Sequence, residues 1–218
     1  KLLDSFIAFE QVIDLDNPVH TVRKNALKRF ESDGFPTKKD ELWKYTSLKS
    51  IIQKDYSLSV KSNPNVGLKD IEKYSINDID SYKIVFVDGV FNPFLSNTTH
   101  DGMDICVLSA ALSKTKYKKT ITKYFNKIVP DDQSLASLNT SYTKEGAYIH
   151  IPKSVLPEDP VQILHFSSGK NKPLWLQPRN IIIVEENARV EIIERHQSLR
   201  SHDGCLLYTS DAADDWFC

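Results

Sequence analysis

Residues 146–199 read as a succession of short β-type runs, each closed by a turn signal. YIHI (148–151) ends at Pro152, VQILHF (161–166) at Ser167-Ser168-Gly169, and NIIIV (180–184) at Glu185-Glu186-Asn187, after which residues 189–194 follow at once. Runs of four to six residues rich in β-branched side chains, bounded by Pro, Gly, Asn and Ser, are the mark of strands. No helical period passes through them. With tight turns and no hairpin dipeptide between the last two runs, the series suits coils of a β-solenoid or one side of a sandwich. Periodicity alone leaves both open.

Upstream the period is helical. Leu2, Leu3, Phe6, Ile7, Phe9, Val12 and Ile13 predict an amphipathic first helix ending near Asp14. Asn17-Pro18 gives a cap with proline at the first helical position, and Gly34 with Pro36 gives the stop. In PTKKDELWKYTSLKSI (36–51), Thr37 predicts a cap for a short helix with Asp40 and Glu41 in its first turn, where the helix dipole favours them. Trp43 and Tyr45 could form a binding surface, but packing onto the rest of the chain is the commoner use of such aromatics. Residues 56–80 are polar and read as a loop with weak strands. KIVFV and VFNPFL flank Asp88-Gly89, the strongest short-range hairpin signal, and that turn role accounts for Asp88 without catalysis. Residues 105–108 read as a strand, 110–129 as helical, and Pro130-Asp131-Asp132 as the start of another short helix. Lysines 114, 116, 118, 119, 123 and 127 read as a solvated helix face rather than an anion site.

A search for chemistry finds little. There is no Gly-rich phosphate loop, no GxSxG elbow and no HExxH pair. Six histidines (20, 100, 150, 165, 196 and 202) are scattered. His150 and His165 sit within strands and could line a metal path with Glu191 or Glu194, although lone strand histidines are more often structural. Cys106 lies in an apolar run and reads as a buried, inert thiol. No residue is assigned as catalytic or as a metal ligand, and cofactor-binding residues stay unassigned. The three cysteines have no metal or disulfide spacing, and no signal peptide or membrane-length apolar run is present, so a cytoplasmic setting is expected and no membrane partner. A net charge of −1 without a basic stripe argues against nucleic acid. Residues 201–218 hold two of the three cysteines and no Lys or Arg, and are expected to be a non-native tail.

Four strings carry a resemblance: KKDELWKYTSLKSI (38–51), FVDGVFNPFLS (86–96), SLASLNTSYTKEGAYIHIPK (134–153) and QPRNIIIVEENARVEIIERHQSL (177–199). In this order they resemble the SufB/SufD family of the SUF iron–sulfur cluster assembly system, with the WKYT element closer to the SufD branch. The resemblance implies an α+β chain: an N-terminal helical domain followed by the first coils of a right-handed parallel β-helix. The divisions expected are 1–145, an α-rich domain with a small β-hairpin; 146–200, the start of the β-helix core; and 201–218, the tail. The segment would be the N-terminal half of a non-enzymatic scaffold acting with SufB-like and SufC-like partners, SufC being the ATPase. The iron–sulfur cluster would belong to the complex, with its ligands in the half not represented. A flavin is associated with complexes of this family, and these residues offer no visible site for one.

Two alternatives come from other classes. A β-helix enzyme acting on polysaccharide would usually be secreted and would gather acidic or Arg residues on one face. A binding module would use Trp43 and Tyr45.

Overall fold

The computed structural model describes residues 2–56, 66–76, 79–100, 102–128, 130, 133–169, 173–199 and 205–206. Both expected helices are present, α1 (Leu2–Glu10) ending short of Asp14 and α2 (His20–Asp33) starting two residues after Pro18. Asn17 organises the entry to α2, its Oδ1 accepting the Val19 amide at 3.0 Å and its carbonyl accepting that of His20 at 2.8 Å. Gly34 ends the helix at φ 69° and ψ −165°, a conformation open in practice to glycine alone.

The segment after Pro36 is less helical than its spacing suggests. A 3-10 turn (Glu41–Trp43) and the four-residue α3 (Lys49–Ile52) stand there instead. Asp40 Oδ2 accepts the Thr37 amide at 2.6 Å and Thr37 Oγ1 accepts the Lys39 amide at 3.2 Å, so the capping groups are consumed in a local turn. α4 (Leu68–Ile71) and a 3-10 turn (Glu72–Tyr74) occupy part of the stretch read as a loop, whose residues 57–65 lie outside the described set.

β1 (Tyr82–Val87) and β2 (Val90–Phe91) form the hairpin. Asp88 and Gly89 have φ of 52° and 76°, the two positive values of a type I′ turn. β3 (Asp104–Val107) leads into α5 (Leu108–Ser113), α6 (Thr115–Tyr124) and α7 (Ser134–Tyr142). Then come β4 (Ala147–Ile151), β5 (Val161–Ser167), β6 (Trp175–Leu176), β7 (Ile181–Val184), β8 (Ile192–Ser198) and β9 (Cys205–Leu206). β8 begins later than the run read at 189–194 and continues to Ser198. Of the tail, only β9 lies within the described residues.

Among the described residues the strands make three sheets, ordered β2-β1-β5-β8, β3-β4-β7 and β6-β9. Pairs β1–β5, β5–β8, β4–β7 and β6–β9 are parallel, whereas β1–β2 and β3–β4 are antiparallel. The expected right-handed parallel β-helix over residues 146–200 is therefore corrected: the fold is α+β with mixed sheets. The physical reason lies upstream. β1 and β3, from the first 145 residues, take positions beside β5 and β4, and β3 runs against β4. Strands that a solenoid would draw from successive coils are supplied here by the N-terminal segment.

The core sits between the two larger sheets, where Ile84, Phe86, Val161 and Ile163 meet Ile105, Val107, Ala147, Ile149 and Ile151. Both outer faces are also covered. Val85, Val87, Leu164 and Phe166 lie under Val66, Ile71 and Leu95, while Tyr148 and Ile181 lie under α5 and α6. A sheet buried on both faces needs continuous apolar runs rather than alternation, which is why strands such as VQILHF lack a polar side. Phe6, Phe9, Phe30, Leu138, Tyr142 and Trp175 join α1, α2 and α7 into a further cluster.

Candidate functional site

The inner face of β8 breaks the apolar pattern. The register Val161↔Ile192, Ile163↔Glu194, His165↔His196 puts Glu194 and His196 on the same face as the core residues Val161 and Ile163. Phe86, His165 and His196 stand at one level on three adjacent parallel strands. Strand spacing of about 4.8 Å stacks such side chains directly. The rings of Phe86 and His165 are 4.8 Å apart and 12° from parallel; those of His165 and His196 are 4.6 Å apart and 3° from parallel.

Glu194 bridges the two imidazoles. Its Oε1 lies 3.4 Å from His165 Nε2 and 3.3 Å from His196 Nε2. Asn180, the residue before β7, fixes that carboxylate: its Nδ2 donates to Glu194 Oε1 at 2.6 Å, while its Oδ1 accepts the Ala147 amide at 2.8 Å. His165 is 7% exposed, and Glu194 and His196 are half-buried. Burial holds the His165 pKa below its ordinary value, with Glu194 opposing and His196 adding to the shift. Two imidazoles and a carboxylate with donor atoms all within 4.8 Å of one another form a set suited to a transition-metal ion.

His165 also walls a cavity of about 310 Å³ beside α1, α7 and the carboxyl ends of β1 and β5. Phe9, Tyr142 and Trp175 give it an apolar lining, and Asp88, Glu145 and Gln177 add polar groups. Asp88 is buried and accepts the Ser168 amide at 2.8 Å and the Ser168 hydroxyl at 2.6 Å, so beyond its turn role it ties the hairpin to the end of β5. Burial raises the Glu145 pKa, against bonds from the Ser109 amide at 3.1 Å and hydroxyl at 2.6 Å.

The other residues singled out from sequence lie apart from this site. His150 is on the second sheet, with Nε2 2.9 Å from Glu185 Oε1 and Nδ1 3.5 Å from Asp104 Oδ2. The Asp104 carboxyl is held below the usual range: burial works against this, and hydrogen bonds from Tyr117 and Lys116 outweigh it. Glu191 is exposed in the connection before β8. His20 approaches Glu10 at 3.2 Å, His100 packs edge-on to Tyr82, and His202 lies outside the described residues. Cys106 is half-buried, with its thiol pKa pushed up to about 11 by burial. On α6, Tyr117 and Ile121 are buried and the lysines form a solvated face, with Lys116 paired to Asp104 at 2.9 Å. Trp43 packs against the α1–α2–α7 cluster as expected, whereas Tyr45 is 90% exposed.

Sequence reasoning weighed His150 and His165 with Glu191 or Glu194 as a metal path and assigned no ligand, and it missed His196. The missing signal was register, which sets residues 165 and 196 side by side. It also missed the buried Arg179, which donates to Asn139 Oδ1 at 3.3 Å and Asn126 Oδ1 at 3.4 Å.

The family described as SufBD protein N-terminal region matches residues 1–163. An iron–sulfur cluster assembly SufBD family protein of Synechocystis sp. is 25% identical over 180 residues, covering 83% of this chain and 39% of that protein. A second Synechocystis protein of the same description is 30% identical over 117 residues, 50% of this chain and 24% of its own length. The iron–sulfur cluster assembly protein SufD of Escherichia coli is 24% identical over 179 residues, 79% of this chain and 38% of that protein. The chain thus spans less than two fifths of the length of these relatives.

Proposed function

The chain belongs to the SufBD family, with residues 1–163 corresponding to that family's N-terminal region, and from this premise we propose that it serves as a SufD-like subunit in iron–sulfur cluster assembly. The observation that carries the reading is that family match, which extends from the first helix into β5. Relatives aligned over 83% and 79% of this chain carry names of the same process, including one SufD. In this reading the protein works as a scaffold, through contacts with SufB-like and SufC-like subunits in the cytoplasm, and the iron–sulfur cluster is the cargo of the assembled complex. No described helix is long and apolar enough to cross a membrane, which is compatible with that setting.

The test is co-expression of the intact protein with SufB-like and SufC-like subunits from its own source, followed by purification on a tag carried by this chain alone. The reading predicts that both partners elute with it in fixed stoichiometry. Elution of this chain alone, with folded partners in the flow-through, overturns it.

A further inference from the structure

The stacked histidines beside Glu194 are the feature of the inner core that packing does not explain. Polar and ionisable groups on a core-facing strand are normally excluded unless their partners are fully supplied. Here both Nε2 atoms approach one carboxylate oxygen, which Asn180 already engages. His165 Nε2 is buried and makes no hydrogen bond despite that approach. We propose that His165 Nε2, Glu194 Oε1 and His196 Nε2 are the protein ligands of a divalent first-row transition ion, with a fourth position left for water or a further donor. The inference stands on the geometry of this cluster and does not rest on the proposed function.

The distances suit the chemistry. Tetrahedral sites of imidazole and carboxylate have bonds of about 2.0–2.1 Å, which sets ligand atoms roughly 3.3 Å apart. The two measured nitrogen–oxygen separations are 3.3 and 3.4 Å. Imidazole donors select transition ions over Mg²⁺ and Ca²⁺, which prefer all-oxygen shells. Asn180, anchored through the Ala147 amide, is the outer-sphere partner that fixes a ligating carboxylate. The two rings are within 3° of parallel, so their lone pairs lie in parallel planes. Seating an ion on both therefore tilts one imidazole out of the stack.

The test uses the full chain, stripped with a chelator and titrated with Co²⁺ as a spectroscopic probe, then with Zn²⁺ by calorimetry. The proposal predicts one equivalent of Co²⁺ with tetrahedral ligand-field absorption, displaced by Zn²⁺. Glu194→Gln and His196→Gln each weaken binding by at least ~10-fold, and Asn180→Ala weakens it by ~10–100-fold, as outer-sphere losses do. Circular dichroism and thermal melting identify any variant that fails to fold. For that case, NMR of the wild-type protein suffices, because bound Co²⁺ must shift the ring protons of both His165 and His196. No stoichiometric binding to the wild-type chain, binding unchanged in folded Glu194→Gln and His196→Gln, or unshifted His165 and His196 resonances each overturn the assignment.

Discussion

Replacing Gly146 with alanine tests the packing argument most sharply. A Cβ on Gly146 would lie 1.8 Å from the Arg179 carbonyl oxygen, 2.5 Å from its carbonyl carbon and 3.0 Å from its nitrogen, and real Cβ contacts below 3.0 Å essentially never occur. All three clashing atoms are backbone, so no rotamer change relieves them. Nor can the surroundings yield easily, because Leu108, Ala147 and Arg179 are at most 1% exposed. Separating the segments strains the Arg179 amide's bond to Glu145 O at 3.2 Å and the Leu108 amide's bond to Gly146 O at 2.8 Å. Overpacking costs about 1–3 kcal/mol, and each weakened hydrogen bond adds about 0.5–1.5 kcal/mol. The expected loss is therefore about 2–6 kcal/mol, a large share of a stability of about 5–15 kcal/mol. Urea unfolding followed by fluorescence should show a lower midpoint at unchanged slope. Gly34→Ala is the informative contrast: nothing lies within 4 Å of its Cβ, so only the conformation at φ 69° is penalised, at about 1–3 kcal/mol. A Gly146→Ala loss under about 1 kcal/mol, against the about 1–3 kcal/mol expected for overpacking alone, would refute the claim that backbone crowding requires this glycine.

Asp88→Ala removes both acceptors of Ser168 and should cost about 1.5–3 kcal/mol per charge-assisted bond at most, with Asp88→Asn recovering part of it, as read by thermal melting. The depressed pKa of His165 has a definite sign. The unfolded chain binds this proton more readily, so stability is complete above the ordinary value of about 6.5 and falls as pH drops below it, towards the folded-state pKa. Chemical denaturation from pH 8 to pH 5 should show that decline, and His165→Gln should flatten it. Its persistence unchanged in the variant assigns the slope to another group, such as His20, whose pKa burial also lowers. Cys106, with a pKa of about 11, should react with iodoacetamide at pH 8 far more slowly than an exposed cysteine, as followed by peptide mass spectrometry.

What could be read from the chain depended on how local the determining contacts are. The Asp88-Gly89 hairpin was legible because two adjacent residues set the turn. The end of α2 was legible for the same reason at Gly34. The strands from residue 146 were recognisable by composition, but their partners were not, since β4 pairs with β3 and β7 and β5 with β1 and β8. The solenoid expectation failed at that non-local step. His196 was invisible as a partner of His165 because only the β5–β8 register joins them. Arg179 went unnoticed because arginine is surface-seeking by default, and here Asn139 and Asn126 satisfy it inside. Tyr45 shows the opposite error, an aromatic expected to pack that stands in solvent.

The central claim, a SufD-like role in cluster assembly, is tested most directly by function rather than by contact. A complex of SufB-like and SufC-like subunits is supplied with iron, a sulfur donor and ATP, with and without the intact protein, and cluster formation is followed by visible absorption and by transfer to an apo-acceptor. The account predicts that omitting the protein sharply lowers the cluster delivered and that adding it back restores delivery. Equal delivery in its absence would contradict the account.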